Sequence, residues 1–171
     1  GRHILWGAQV STESKGYDVN DVGRLQSADG IDYNADIQIR ETEPGHYLRN
    51  WRLGFVTRGS FNYGGNQTNE EWNQNTTLTF LNFWTFNLNT KFDLSTLDDR
   101  LTRGGPLMRT AFSWGQEYRL NSASGARTGW RAGFNWNRDA LGGWRNNMSG
   151  GITLRPAPRW QLSLDPSYVV S

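Results

Sequence analysis

The sequence has no cysteine, which excludes disulfides, thiolate metal sites and cysteine nucleophiles. It has little lysine: Lys15 and Lys91 are the only two among 18 basic residues, and the rest are arginine. Histidine is scarce too. His3 and His46 are far apart, with no carboxylate at ligand spacing, so no metal site is expected. No Ser-His-Asp set and no nucleophile elbow occurs, and the chain reads as a non-enzyme with no cofactor. No window holds the roughly 18 consecutive apolar residues that a transmembrane helix needs. With 20 Gly and 5 Pro, long helices are disfavoured as well. A membrane location is open to such a chain only as a barrel, because lipid leaves backbone groups to satisfy one another.

What the chain does contain is aromatic: 9 Trp, 6 Tyr and 8 Phe. These sit in a background whose mean hydropathy is −0.72. The two properties fit together in strands with unlike faces. In residues 30–40, Ile31, Tyr33, Ala35, Ile37 and Ile39 alternate with Asp32, Asn34, Asp36, Gln38 and Arg40. Side chains on a strand point to opposite faces with period two, so one face suits hydrocarbon and the other water. Repeated along a chain, this pattern is that of an outer-membrane barrel wall.

The periodicity predicts nine strands: His3–Ser11, Gly30–Arg40, Leu48–Tyr63, Glu71–Phe80, Trp84–Leu94, Ala111–Leu120, Arg127–Asn137, Trp144–Arg155 and Arg159–Tyr168. Most approach the ~9–11 residues that a tilted strand needs to cross a bilayer. Long connections (12–29 and 95–110) are expected to alternate with tight ones (41–47, 81–83, 121–126, 156–158), as in a barrel with short turns on one side. The fold class is therefore all-β: an antiparallel up-and-down transmembrane barrel segment. An odd strand number and the lack of an export signal lead us to expect residues 1–171 to be one segment of a larger barrel in a longer protein, with no second domain.

The tryptophans and arginines fall on opposite faces. Trp51, Leu53 and Phe55 oppose Arg52 and Arg58, and Trp130, Phe134 and Trp136 oppose Arg131 and Asn135. The rings also sort by height. Trp51, Phe80, Trp84, Tyr118, Trp130 and Trp160 lie near the short-turn ends, and Tyr63, Trp72, Phe92, Trp114, Trp136 and Trp144 near the long-loop ends. Two aromatic belts on one face are expected where amphipathic rings settle at two lipid–water interfaces. The lumen would be lined by Asp32, Asp36, Arg40, Arg52, Arg58, Lys91, Asp93, Glu117, Arg119, Arg131, Arg145, Arg155 and Asp165. A soluble sheet that buries the same apolar face is the alternative. It would leave a solvated surface unusually rich in arginine and poor in lysine.

The least strand-like stretch runs from Asp98 to Arg109. Its Asp98, Asp99, Arg100, Arg103 and Arg109 are the candidate loop or lumen binding residues, suited to an anionic or sugar ligand. The plainer alternative is a loop folded by its own Asp–Arg pairs, with Gly104 and Gly105 at positive φ.

The block Leu97-Asp-Asp-Arg-Leu-Thr-Arg-Gly-Gly-Pro-Leu-Met-Arg109, followed by Ser113-Trp114, resembles a bacterial family of large outer-membrane proteins. So do Tyr17-Asp-Val-Asn-Asp-Val-Gly23, Leu48-Arg-Asn-Trp-Arg-Leu53 and Arg159-Trp-Gln-Leu-Ser-Leu164. That family is catalogued as a domain of unknown function, and its members carry an N-terminal module similar to family nine of the carbohydrate-binding domains before a long barrel. The resemblance implies an outer-membrane location in a Gram-negative bacterium, with the lipid bilayer as partner. It implies that this chain is part of the C-terminal barrel region, and it carries no sugar-binding role over to any residue here. The expected function is a structural or pore-like segment of an outer-membrane barrel. The alternatives are the barrel anchor of a carbohydrate-active surface protein, or a soluble β-sheet binding domain. A carbohydrate or small solute is a further candidate partner. Nucleic acid is not, because arginines and aromatics on opposite faces cannot engage one strand together.

Overall fold

The computed structural model describes residues 3–14, 30–98, 106–123, 125, 127–157 and 159–171. Among them there is no helix. The elements are β1 (Ile4–Glu13), β2 (Gly30–Glu41), β3 (Leu48–Phe61), β4 (Gln67–Phe80), β5 (Thr85–Asp93), β6 (Leu97–Asp98), β7 (Met108–Arg109), β8 (Ser113–Asn121), β9 (Thr128–Asp139), β10 (Trp144–Ala157), β11 (Trp160–Leu164) and β12 (Ser167–Val170).

The long strands form one antiparallel sheet in the order β1-β2-β3-β4-β5-β8-β9-β10-β11, with β12 also on β10. Leu164 of β11 faces Ile152. Tyr168 of β12 faces Met148, four residues further along both strands, so the register is unbroken. β11 and β12 are thus one strand, interrupted at Asp165–Pro166, where proline brings no N–H. Gly150 still donates to the Pro166 carbonyl at 3.0 Å. Counted this way the sheet has nine strands, as the periodicity predicts. Every long strand is joined to the next in sequence, which is up-and-down topology.

Three hairpins share one geometry. Asn62 and Asn66, Phe80 and Trp84, and Asp139 and Gly143 each close with an N–H to carbonyl bond of 2.9 Å. The fourth residue of each turn has positive φ: Gly65 (77°), Phe83 (64°) and Gly142 (95°). Glycine is the usual occupant of that position. Phe83 is the exception, and the Arg49 guanidinium lies 4.6 Å from its ring centroid. The expected length contrast between the two ends therefore holds only at the two longest connections. Residues 62–66 and 139–143 are as tight as 80–84, because β4 begins at Gln67 rather than at Glu71 and β9 runs on to Asp139.

The sheet is a single layer. Each long strand touches only its ladder neighbours, apart from a small contact of β4 with β6. Among the described residues no hydrophobic side chain is buried, and β1 is not paired to the last strand. Trp6 is 78 % exposed and Leu164 is 70 % exposed. A sheet with one apolar face ordinarily covers it with another layer. Here that face is bare.

Candidate functional site: two faces and a loop foot

We call loop end the side where β1 ends and β2 begins, which also carries residues 62–66, 94–98, 106–112 and 140–143, and turn end the opposite side. The register fixes the faces across the whole sheet. Starting from Ile4, the row crosses Ile39, Leu53, Thr76, Leu88, Tyr118, Phe134, Met148 and Tyr168. The neighbouring row crosses Arg40, Arg52, Thr77, Asn87, Arg119, Gly133 and Ser149. Every residue named above as lumen-lining lies on the second, polar face. Ring pairs knit the apolar face: Trp84 meets Trp130 edge-on at 4.8 Å, Trp114 meets Trp136 at 4.2 Å, and Tyr118 stacks on Phe134 at 6.3 Å.

The apolar face also carries polar groups that alternation alone does not announce. β4 places Glu70, Gln74 and Thr76 there beside Trp72, Leu78 and Phe80. Glu70 is only 7 % exposed. Its carboxylate accepts from the Tyr33 hydroxyl and the Trp72 indole N–H. It also accepts from Gln67 Nε2 at 2.6 Å and from Thr57 Oγ1 at 3.2 Å. The Tyr33 ring lies over Gly59 and occupies the space where a Cβ would stand. Gln74 donates to Thr76 at 2.5 Å, and the Tyr118 hydroxyl donates to Gln116 at 2.6 Å. These polar atoms are satisfied within the face, the condition for tolerating them away from water.

The polar face is charged along its height. At the loop end Glu71 and Asp93 share Lys91, at 3.0 Å and 2.9 Å. Arg58 stands 3.9 Å from Glu71 and its Nε donates to Asn34 at 3.2 Å. Asp32 accepts from Ser60, and Glu13, Asp139 and Arg145 complete that end. By register row, Asp36 is level with Lys91 and Arg145, Glu117 lies two residues further toward the turns, and Asp165 is level with Arg131. Asp165 pairs with Arg131 at 2.7 Å, and Glu117 with Arg119. Nearer the turns, the strand positions of this face carry Arg40, Arg52, Arg119, Arg131 and Arg155, with Asp165 beside Arg131. Glu71 was not in the predicted lining because the doublet Glu70–Glu71 hides which carboxylate faces which way. The pairing Arg58–Glu71 across β3 and β4 resolves it.

The predicted binding loop is only partly drawn together. Asp98 and Arg109 sit on the β6–β7 ribbon, which the periodicity does not predict. Asp98 is opposite Met108, and Arg109 is opposite Leu97, so the two charges lie on opposite faces of the ribbon. Asp99, Arg100 and Arg103 lie outside the described residues. The foot of the loop is held firmly. Thr110 N–H donates to the Thr96 carbonyl and Thr96 N–H to Thr110 Oγ1, both at 2.9 Å. Leu94 N–H reaches the Glu70 carbonyl at 2.9 Å, and Thr96 Oγ1 reaches the Thr68 carbonyl at 3.2 Å. The ribbon is thereby anchored to the start of β4. Among the described residues no group of His, Asp or Glu could hold a metal ion.

Residues 2–123 match the family described as a domain of unknown function, DUF5916. The chain belongs to this family. The match takes in β1 to β8, the Glu70 cluster and the ribbon, and the DUF5916 ladder continues without a break through β9 to β12. No curated protein and no solved structure matches the chain.

Proposed function

We propose that this DUF5916 chain is part of the wall of a barrel in the outer membrane of a Gram-negative bacterium, structural or pore-like and not an enzyme. The apolar face meets lipid and the polar face lines the lumen. The observation that carries this reading is the bare one-layer sheet: nine strands in register, one face apolar, and no hydrophobic residue buried among the described residues. Exposed apolar area on this scale marks an interaction surface, and lipid covers it without a second protein layer. The satisfied polar atoms of that face support the same reading, since hydrocarbon offers them no partner. The open edges point to more strands from the same polypeptide, because lipid does not tolerate an unpaired ladder.

The resemblance noted above adds a further expectation: in the longer protein a carbohydrate-binding-like module precedes the barrel, and this segment anchors it. No residue described here is assigned to sugar. Fractionation tests the main reading. The full-length protein is expected in the outer membrane, resistant to alkaline and urea extraction, with heat-modifiable gel mobility. A 171-residue chain that folds as a monomer in buffer without detergent would overturn it.

A further inference from the structure

We propose that the apolar face carries, at its loop end, a binding site for one anionic lipid, with the phosphate of its headgroup at Arg138 and an acyl chain in a hollow over Ala35 and Thr57. This rests on the reading of that face as lipid-facing. Two separate features of one register row converge on it.

The first is a cation among tryptophans. Arg138 is in phase with Phe134 and Trp136 on β9, so it belongs to the apolar face. Its cross-strand partners are Trp114 on β8 and Trp144 on β10. Trp136 meets Trp114 at 4.2 Å beside it. Arg138 is exposed and forms no ion pair among the described residues. Asp139, the next residue, belongs to the polar face, and its carboxylate accepts from the Leu141 and Gly143 N–H groups, both at 2.8 Å. Glu70 shares the apolar face but is enclosed by Tyr33, Thr57, Gln67 and Trp72. A guanidinium at the level of an aromatic belt stands where lipid headgroups lie. Its planar fork of N–H donors matches a phosphate.

The second feature is an open apolar hollow of about 400 Å³, lined by Ala35, Ile37, Phe55, Thr57, Trp72 and Phe92. That volume is in the range of small-molecule sites. Ala35 and Thr57 are register partners, and their short side chains leave the gap between the larger ones. The row Ala35, Thr57, Trp72, Phe92, Trp114, Arg138 runs without a break from the hollow to the cation. Phe92 stacks on Trp114 at 6.2 Å. Two strand spacings, roughly 10 Å, separate Phe92 from Arg138, a reach that one lipid with several acyl chains covers. A free anion would have no use for the hollow, and an uncharged lipid none for the arginine.

The test uses the full-length protein refolded in vesicles of phosphatidylcholine and phosphatidylglycerol with the same acyl chains, then extracted in mild detergent. Native mass spectrometry reads the lipid that stays bound. Phosphatidylglycerol should be retained in preference to phosphatidylcholine. Arg138→Gln should abolish the preference, and Arg138→Lys, which keeps the charge, should restore most of it. Arg145→Gln removes the same charge on the neighbouring strand but from the polar face, and should leave the preference intact. Ala35→Leu fills the hollow and should reduce the retained lipid although Arg138 is in place. Heat-modifiable mobility of each variant confirms that the barrel has formed. Equal retention of the two lipids by the wild type, an unchanged preference in Arg138→Gln, no rescue in Arg138→Lys, or full retention in Ala35→Leu would overturn the site while leaving the barrel. Failure to form a heat-modifiable barrel in any lipid would instead overturn the lipid-facing reading, and the inference with it.

Discussion

Gly59→Ala should destabilise the protein although the residue lies in a strand interior, where alanine ordinarily has the advantage. The intrinsic gain from removing a strand glycine is roughly 0.5–1 kcal/mol. At this site the methyl group would enter the phenol end of the Tyr33 ring, which lies against Gly59. Overpacking of this kind costs about 1–3 kcal/mol. If the ring swings away instead, its hydroxyl leaves the Glu70 carboxylate, a bond to a charged group worth about 1.5–3 kcal/mol. Either route exceeds the gain, so the net loss should be on the order of 1–2 kcal/mol. Gly54 on the same strand is the control. A Cβ there meets the Asn75 and Ile37 carbonyl oxygens at an ordinary 3.9 Å, so Gly54→Ala should be neutral or mildly stabilising. Urea unfolding of the refolded protein in detergent or lipid, followed by tryptophan fluorescence, would compare the two. Tyr33→Ala in the Gly59→Ala background should lose less than the sum of the single changes. Equal effects of the two glycine substitutions, or strict additivity with Tyr33→Ala, would refute the packing argument.

Phe134 and Asn135 are adjacent on β9 but belong to opposite faces, Phe134 stacking on Tyr118 and Asn135 lying opposite Glu117 and Asn147. Phe134→Arg should cost roughly 2–4 kcal/mol if it sits near the bilayer centre. Asn135→Arg should cost far less, and heat-modifiable gel mobility of the complete barrel separates the two. Gly142→Ala has open space around the added methyl but a φ of 95°, so backbone strain alone should lower stability by about 1 kcal/mol, read in the same urea titration.

The faces were legible in the sequence because a strand has only two of them. Trp130, Phe134 and Trp136 against Arg131 and Asn135 could not be arranged otherwise once the segment was extended. The strand count was legible for the same reason, even across Pro166, which removes one donor but leaves the register intact. β4 was the exception. Its apolar face carries Glu70, Gln74 and Thr76, and no periodic rule distinguishes a misplaced polar residue from one that its own strand and two others will satisfy. The β6–β7 ribbon was missed because two-residue strands leave no periodic trace.

The sequence by itself determined that this chain is a ladder of amphipathic strands with tryptophan on one side and arginine on the other, since period and composition are local properties. Only the tertiary structure decided how the rows line up across strands. Register brought Tyr33, Thr57, Gln67 and Trp72 around one carboxylate, set Arg40 beside Arg52, and left the loop charges Asp98 and Arg109 on opposite sides of their ribbon. Tyr33 is 37 residues from Glu70 along the chain and Thr57 is 13. Their meeting depends on hairpin lengths and on the cumulative stagger between strands, which no single segment contains.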